Sequence, residues 1–422
     1  MAKIFVEAYG CSASLADSEM ISGLILNGGH TLAKDSTDSD LNIVVTCSVK
    51  DSTAHKMMHR IQTLKSKPLV VAGCLPKAEQ GTVEKISLKA SLLGPNSLGK
   101  TLQVIDSTLR GIRYVALEDS DLSKIGLPKV RLNPVIGIVE IASGCMSECT
   151  FCQTKLSKGD LTSYRIGDIV RQVETEISEG CKEIWLTSTD NGCYGLDINT
   201  DLPTLIKAVS EIPQDFMMRI GMMNPMYMPR IKEELIKAFE SDKVYKFLHI
   251  PVQSGSDKVL SDMKRGHTVK TVREIIKKAR DRFTDFTIST DVIVGFPSET
   301  VEDFEKTVKF IDEIYPDIVN LSKFSPRPGT EAAEWKQIET PEVKRRTKII
   351  FDLMNRLSLE NNQKWIGWKG KVLFDEQTSE GLKGRNFAYK SVFVKEEIKI
   401  GQTYTVEIVD ASMHSIHGKI VS

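Results

Sequence analysis

The 422-residue sequence lacks an excess of charge of either sign, since 56 Lys and Arg residues balance 56 Asp and Glu residues. This balance excludes a chain that binds nucleic acid through its net charge, so any such contact must come from local patches. The sequence also lacks an uncharged apolar run of membrane-spanning length, and its N-terminus lacks the apolar core of a signal peptide. We therefore expect a cytoplasmic protein with no membrane partner and, from its length, about three domains.

Eight cysteines in a chain without a secretory signal indicate metal or catalytic thiols rather than a disulfide framework. Three of them lie together in Cys145-Met-Ser-Glu-Cys149-Thr-Phe-Cys152, directly after an apolar, β-branched run. Common zinc sites use paired C-x2-C arms and four ligands, and no second arm follows nearby. A four-iron cluster held by three thiolates keeps one iron open. The C-x3-C-x2-C spacing, with Phe151 before the last cysteine, resembles the signature of radical S-adenosylmethionine (SAM) enzymes.

Three further cysteines each end a short β-branched run in the first hundred residues. The runs precede Cys11, Cys47 and Cys74, and helical patterns at Asp17–Asn27 and Ser52–Ser66 lie between them. Alternating strands and helices predict a parallel sheet, with all three thiols at its carboxyl edge, where open α/β sheets bind ligands. The alternative is three ordinary buried cysteines at strand ends. Their identical placement favours a second three-cysteine cluster site.

Strand and helix patterns alternate again from Val135, after a segment, 111–134, whose helix-breaking residues predict a linker. The later predicted strands are Glu183–Thr187, Met217–Met222, Lys246–Ile250, Phe286–Val294 and Ile318–Phe324. The predicted helices are Ile166–Glu179, Asp201–Ile212, Arg230–Glu240, Val269–Arg282 and Val301–Glu313. Six such units are typical of a parallel barrel, complete or not, with its active site at the strand carboxyl ends. The loops that begin at Ser188, Asn224, Gln253 and Gly295 are the expected walls of a cofactor pocket.

The tail is predicted to form a small β-barrel, because β-rich runs alternate with Gly or Asn turns. The predicted strands are Val372–Phe374, Phe387–Phe393, Thr403–Ile408 and Ser415–Val421. Aromatic and basic residues alternate over Lys383–Lys390, which predicts either an RNA contact or an exposed hairpin with one buried aromatic. Ahead of the tail, the basic run Lys344–Lys348 opens a predicted helix that reaches about Asn362, and we expect this run to be solvated.

Together these segments resemble the radical-SAM methylthiotransferases over nearly the whole chain. The resemblance implies an α/β multidomain fold: an open parallel-sheet domain over 1–110 with an auxiliary cluster, a linker over 111–134, a partial TIM-like (βα)6 radical-SAM barrel over 135–362, and a small TRAM β-barrel over 363–422. Five stretches are similar to the archaeal and eukaryotic branch, namely Gln153–Tyr164, Met223–Pro225, His249–Ser256, Asp291–Pro297 and Pro326–Thr330. That branch adds a 2-methylthio group to N6-threonylcarbamoyladenosine beside the tRNA anticodon.

The resemblance also implies the cofactors, partners and contacts. It implies two [4Fe–4S] clusters on the six cysteines and SAM contacts at Phe151, Ser188, Asp190, Gln253, Ser254, Ile293 and Gly295. The implied partners are a tRNA anticodon stem–loop, a sulfur donor and an electron donor of the flavodoxin or ferredoxin type, acting on a monomer. Two positions depart from the family pattern: Thr189, where an acidic or amide residue is expected, and Cys193, where alanine is expected.

The implied chemistry has two parts. The Cys145 cluster reduces SAM to generate a 5′-deoxyadenosyl radical, because the C2–H bond of adenine is unactivated and no side-chain base can deprotonate it. The second cluster presents sulfur or methylsulfide at its open iron, and a second SAM supplies the methyl group. The adenine must leave the stack of the anticodon loop to enter, at a cost of about a few kcal/mol.

Other functions stay open at this point. A methylthiotransferase of a ribosomal protein or of isopentenyladenosine tRNA shares the six cysteines, and a non-enzymatic RNA-binding iron–sulfur protein is a third possibility. Cys181 and Cys193 are predicted to be structural, and His249 and His267 to be packed or solvated rather than ligands.

Overall fold

The N-terminal sheet has six strands in the order β2-β1-β3-β4-β5-β6, and all neighbours are parallel. The computed structural model describes residues 1–48, 51–119 and 123–421. The elements of this part are β1 (Lys3–Ala8), α1 (Ser12–Asn27), β2 (Thr31–Leu32), β3 (Leu41–Thr46), α2 (Asp51–Leu64), β4 (Leu69–Gly73), α3 (Cys74–Ala78), α4 (Gln80–Ile86), β5 (Ser91–Leu93), α5 (Thr101–Leu109) and β6 (Val115–Ala116).

Strands β3 and β4 are buried along their whole length, as expected for central parallel strands covered on both faces. One face packs on α1 through Ile21 and Ile25, and the other packs on α2 through Ile61. The predicted N-terminal parallel sheet is therefore confirmed. It extends past the predicted boundary at residue 110, because β6 lies inside the predicted linker and pairs with β5.

The central part contains two three-stranded parallel sheets, β11-β10-β7 and β12-β13-β14. The two sheets meet where Tyr245 N–H donates to Met218 C=O at 3.0 Å, so the six strands follow one another in chain order. The elements are β7 (Ile136–Glu140), β8 (Ala142–Ser143), α6 (Thr154–Lys158), β9 (Thr162–Ser163), α7 (Ile166–Ser178), β10 (Glu183–Thr187), α8 (Leu202–Ser210), β11 (Met217–Ile220), α9 (Met228–Ala238), β12 (Phe247–His249), α10 (Asp257–Asp262), α11 (Val269–Arg282), β13 (Thr287–Val294), α12 (Val301–Ile314), β14 (Ile318–Lys323) and α13 (Thr340–Gln363).

The helices of the central part pack their apolar faces on the outside of these strands. In α7, for example, Ile169, Val173 and Ile177 are buried at a helical spacing. Helix α13 begins four residues before the predicted basic run, and that run is not wholly solvated. Arg346 is only 3% exposed, because its guanidinium pairs with Glu299 and Glu342.

The C-terminal strands close into a barrel in the order β15-β16-β17-β19-β18. They are β15 (Lys369–Thr378), β16 (Gly381–Asn386), β17 (Ser391–Val394), β18 (Thr403–Ala411) and β19 (Ile416–Ile420). The predicted strand Phe387–Phe393 is wrong in its first half, because 387–390 form the turn between β16 and β17. Strand β16 escaped the sequence analysis because its glycines weaken the β pattern.

This barrel docks on the amino-terminal ends of the central strands. Lys246 N–H donates to Phe387 C=O at 2.8 Å, and Lys390 Nζ pairs with Asp317 at 2.6 Å. The Tyr389 ring packs between the two parts, 4.8 Å from the Tyr245 ring. The turn that the sequence analysis took for a strand is therefore the contact between the C-terminal barrel and the central strands.

A buried chain of charges joins the N-terminal part to the central part. Lys124 Nζ pairs with Asp17 at 2.6 Å and with Glu140 at 2.8 Å, and Lys158 Nζ pairs with the other oxygen of Glu140 at 2.8 Å. Buried charges are tolerated when they are paired in this way. Within the described ranges, no helix combines the length and the apolar character needed to cross a membrane.

Candidate active site

Three cysteines meet at the carboxyl edge of the N-terminal sheet. Cys11 caps α1 after β1, Cys47 directly follows β3, and Cys74 is the first residue of α3 after β4. The approach is close enough to require glycine at position 10, where φ is +117° and a Cβ atom would lie 2.3 Å from Cys47 Cβ. All three cysteines line one cavity. The structure therefore brings together the three thiols that the sequence analysis grouped.

The thiols of this group have unequal acidity. A hydrogen bond with Cys47, together with the positive charge of Lys158, holds the pKa of Cys11 well below its usual value. Burial raises the pKa of Cys74 to about 11. Although burial opposes the charged form of Lys158, Glu140 and Asp17 raise the pKa of this lysine well above its usual value. The positive charge of Lys158 thus lies near these cysteines and favours their thiolate forms.

The second cysteine group lies in the loop that follows β7 and β8. Gly144 adopts φ +73° there, and a Cβ atom would meet Asp160 C=O at 1.9 Å. Arg265 donates from Nη1 to Cys149 Sγ at 3.4 Å, and Ser147 N–H donates to Cys145 Sγ at 3.3 Å. Burial raises the pKa of Cys149 despite the opposing charge of Arg265. The loop therefore offers three thiols that form no disulfide, and Arg265, which follows α10, places a cation beside them.

Cys193 contacts this loop, although it was predicted to be structural. The ligand atoms of Cys145, Asp190 and Cys193 lie within 4.8 Å of one another. A hydrogen bond from Cys193 lowers the pKa of Cys145 to about 7 and raises that of Cys193. Burial raises the pKa of Asp190, whose Oδ1 accepts the N–H groups of Gly192 and Asn224, both at 2.9 Å. Cys181, in contrast, is fully buried in the apolar core.

Both cysteine groups open on the same cavity, whose volume is about 1090 Å³. This volume suits a ligand of cofactor size or larger. Ten of the thirteen predicted site residues line it: Cys11, Cys47, Cys74, Cys145, Cys149, Phe151, Cys152, Ser188, Asp190 and Gln253. Thr189 also lines it, and its buried Oγ1 atom has no hydrogen-bond partner within the described part of the chain.

The other three predicted contacts are not among the lining residues. Ser254 is buried and bonds Thr307 Oγ1 at 3.2 Å, and Gly295 faces Val343. Ile293 packs in an apolar cluster with Phe151 and Phe296. The predicted SAM contacts at these three positions therefore stay predictions.

Inward-facing side chains of the central strands line the part of the cavity nearest the C-terminal barrel. Trp185, Arg219 and Phe247 lie on β10, β11 and β12. One step nearer the carboxyl ends, Asp291 Oδ1 binds His249 Nε2 at 3.0 Å and Asn320 Nδ2 at 2.7 Å. His249 is thus a polar lining residue paired with a carboxylate, whereas His267 is packed.

Sequence reasoning missed several lining residues, including Lys158, Arg219 and Arg265. Lys158 was within reach, because it lies in the stretch that follows the Cys145 loop. Arg219 could be found only from its inward register on a strand, and nothing in the sequence around Arg265 pointed to the thiols. Arg385 and Tyr389, which also line the cavity, belong to the aromatic and basic stretch that the sequence analysis singled out.

Comparisons with known proteins agree with this geometry. Residues 139–311 match the radical SAM superfamily, and residues 3–94 match the uncharacterized protein family UPF0004. A radical S-adenosylmethionine methyltransferase from Kitasatospora setae, solved with cobalamin and a [4Fe–4S] cluster, has a similar fold with a TM-score of 0.59 and 14% identity, covering 78% of this chain and 77% of that chain.

Closer relatives extend over the full length. A "Probable threonylcarbamoyladenosine tRNA methylthiotransferase" of Archaeoglobus fulgidus is 39% identical, covering 100% of this chain and 99% of the relative. The threonylcarbamoyladenosine tRNA methylthiotransferases of Mus musculus and Homo sapiens are 36% and 35% identical, each covering 100% of this chain and 74% of the relative. The chain therefore belongs to the threonylcarbamoyladenosine tRNA methylthiotransferase family within the radical SAM superfamily.

Proposed function

We propose that this protein adds a 2-methylthio group to N6-threonylcarbamoyladenosine at position 37 of tRNA, next to the anticodon. The observation that carries the proposal is the opening of two separate three-thiol groups on one cavity. A reaction that needs both radical generation and sulfur donation requires two such centres within reach of one substrate atom. The names of full-length relatives supply the substrate class.

We assign Cys145, Cys149 and Cys152 to a [4Fe–4S] cluster with one open iron. Three free thiols on one loop, with the Arg265 guanidinium beside Cys149, are a donor set that fits such a cluster. When bound, the cluster and SAM supply radical chemistry able to act on the unactivated C2–H bond of adenine. Phe151, Ser188, Asp190 and Gln253 form the wall that orients SAM and excludes water.

We assign Cys11, Cys47 and Cys74 to a second [4Fe–4S] cluster that holds the sulfur to be transferred. Their convergence at one sheet edge and the low pKa of Cys11 support thiolate ligation. The positive charge of Lys158 offsets part of the negative charge of three thiolates at this sheet edge. Because Lys158 follows the Cys145 loop by six residues, one short segment links the two centres.

The C-terminal barrel is assigned as a TRAM domain that holds the anticodon stem–loop. Its support is that Lys383, Arg385, Tyr389 and Lys390 line the same cavity as the thiols. A monomer that takes electrons from a flavodoxin or ferredoxin type of donor, and sulfur from a separate donor, completes the assignment. We place the domains at 1–110, 135–362 and 363–422, with β6 as an extension of the first.

The experiment is mass spectrometry of tRNA nucleosides from cells with and without the protein. We expect 2-methylthio-N6-threonylcarbamoyladenosine to disappear and its unmethylthiolated precursor to accumulate when the gene is deleted. Complementation with the wild-type chain, but not with Cys145→Ala, should restore it. Loss of a modified ribosomal protein residue or of methylthiolated isopentenyladenosine instead would contradict the proposal.

A further inference from the structure

Arg219 lines the cavity but belongs neither to the proposed cluster sites nor to the proposed SAM site. It lies on β11 opposite Trp185 of β10 in the parallel register. Its neighbours Met218 and Ile220 are buried on the outer face, so Arg219 extends inward, where it lines the cavity. The residue is partly buried, at the end of the cavity nearest the C-terminal barrel.

Three aromatic rings hold the Arg219 guanidinium. Its Cζ atom lies 5.3 Å from the Trp185 ring centroid, 5.4 Å from that of Phe247 and 5.5 Å from that of Tyr389. Aromatic faces attract the cation but leave its N–H groups free. Among the residues that the structure describes, no hydrogen bond or ion pair engages those donors. Because arginines at such sites are normally paired, this one is set up for an anion from outside the chain.

Arg385 adds a second cation at the same place. Its Cζ atom lies 4.6 Å from the Tyr389 ring centroid, and its buried Nε has no hydrogen-bond partner within the described residues. The nearest carboxylate oxygen, on Asp375, is 3.8 Å from Nε. Glu183 is also close, but its two oxygens accept from Trp185 Nε1 and Tyr245 Oη. The chain therefore does not fully satisfy either guanidinium.

We propose that Arg219, with Arg385 beside it, binds the carboxylate of the N6-threonylcarbamoyl group and so selects the substrate. This inference rests on the proposed function. The α-carboxyl of a threonyl group has a pKa of about 3.5 and is ionised at neutral pH. The C2–H and C6–N6 bonds of adenine point in different directions. A substrate whose C2 faces the two cysteine groups can therefore direct its N6 substituent along another wall of the same cavity, where Arg219 lies.

A carboxylate fits this position better than an RNA phosphate does. A flipped nucleotide enters a pocket base first, so its backbone stays at the rim. The base and its substituent therefore reach deepest, and Arg219 sits on a central strand rather than on the surface. The planar fork of arginine also matches a carboxylate with two hydrogen bonds.

The test compares two anticodon stem–loops that differ in one group. One carries N6-threonylcarbamoyladenosine, and the other carries the same nucleoside with its carboxyl converted to the neutral amide. Methylthiolation by the reconstituted holoenzyme is measured as kcat/KM for each. The variants are Arg219→Met, Arg219→Lys and the control Arg273→Met, which removes an exposed arginine that also stacks on an aromatic ring but pairs with Glu313.

We expect the wild type to prefer the acid by about 10- to 100-fold, the range of one charge-assisted interaction. Arg219→Met should lower kcat/KM for the acid to the level of the amide, Arg219→Lys should retain part of the preference, and Arg273→Met should retain all of it. RNA-independent cleavage of SAM, which does not involve the substrate carboxylate, should persist in every variant, and circular dichroism shows separately that each one is folded.

Three outcomes would overturn the inference. Equal losses for both substrates would indicate a phosphate contact or a shape role, and loss of RNA-independent SAM cleavage in a folded Arg219→Lys protein would place Arg219 at the cofactor. An unchanged preference in Arg219→Met would remove its role in selection. A wild-type enzyme that acts on neither stem–loop would instead contradict the proposed function itself.

Discussion

The thiol sulfur atoms of Cys145 and Cys193 lie within 4.8 Å of each other and of a carboxylate oxygen of Asp190. Cys145 lies in the three-cysteine loop, whereas Cys193 follows β10. A fourth thiol therefore touches a group that needs only three to leave one iron open. The contact raises the question of whether Cys193 is a ligand or a neighbour.

We predict that Cys193 is a neighbour. Anaerobically prepared wild type should carry about eight irons per chain, and Cys193→Ala should keep them, because three thiolates already hold a four-iron cluster. Cys145→Ala should lose about half. Iron analysis and the visible absorption of the clusters measure both. Loss of about four irons from Cys193→Ala would show that it ligates iron.

The two groups of three cysteines should serve separate functions, one in SAM cleavage and one in sulfur donation. Replacing Cys11, Cys47 and Cys74 with Ala should abolish methylthiolation but leave reductive cleavage of SAM to 5′-deoxyadenosine, since the Cys145 loop is built on a different part of the chain. Replacing the three cysteines of that loop should abolish both activities. Chromatography of 5′-deoxyadenosine and of RNA nucleosides gives the two readouts. Loss of SAM cleavage in a folded N-terminal variant would contradict the division.

Lys158 should set the reduction potential of the proposed cluster on Cys11, Cys47 and Cys74. Its positive charge stabilises the more negative, reduced state, so Lys158→Met should lower the cluster's midpoint potential by about 60 mV for each 1.4 kcal/mol removed. Lys158→Arg should restore most of it. Lys124→Met is the matched control, because Lys124 pairs with the same Glu140 carboxylate. Redox titration followed by electron paramagnetic resonance measures the shift, and equal shifts in both Met variants would exclude a specific role for Lys158.

Local patterns predicted the six parallel strands of the central part, because a strand pattern depends on neighbours in sequence. Strand β10 and helix α11 have the predicted bounds, and each N-terminal cysteine lies where its strand ends. The contacts of Cys193, Arg219 and Arg265 could not be predicted, since each depends on residues far away in the chain. Arg346 shows the same limit: its basic neighbours indicated a solvated face, but Glu299 lies 47 positions away.

Glu19 makes folding stability depend on pH. It is 2% exposed, burial raises its pKa to about 7, and Oε1 accepts the Leu132 N–H at 3.0 Å. A raised folded-state pKa contributes stability below the unfolded value of about 4.5, and this stability is lost as pH rises through about 7. The full loss is about 3 kcal/mol.

Glu19→Gln should therefore lose less stability than the wild type between pH 5.5 and pH 8.0, because glutamine keeps the acceptor without the charge. Exposed Glu211→Gln is the control. Denaturant unfolding at the two pH values, followed by circular dichroism, measures the difference. A wild-type slope in the Glu19 variant would show that other groups set the dependence.

The C-terminal barrel docks on the central part through Tyr389, so a change in the barrel also changes the cavity. Because this ring lines the cavity and packs against Arg219, the tail forms part of the cavity wall. Replacing the tail with that of a relative should therefore change the lining of the cavity, and with it the binding of the nucleoside. Such a chimaera should fold only when Tyr245 and Phe247, which pack against Tyr389, are exchanged together with the tail.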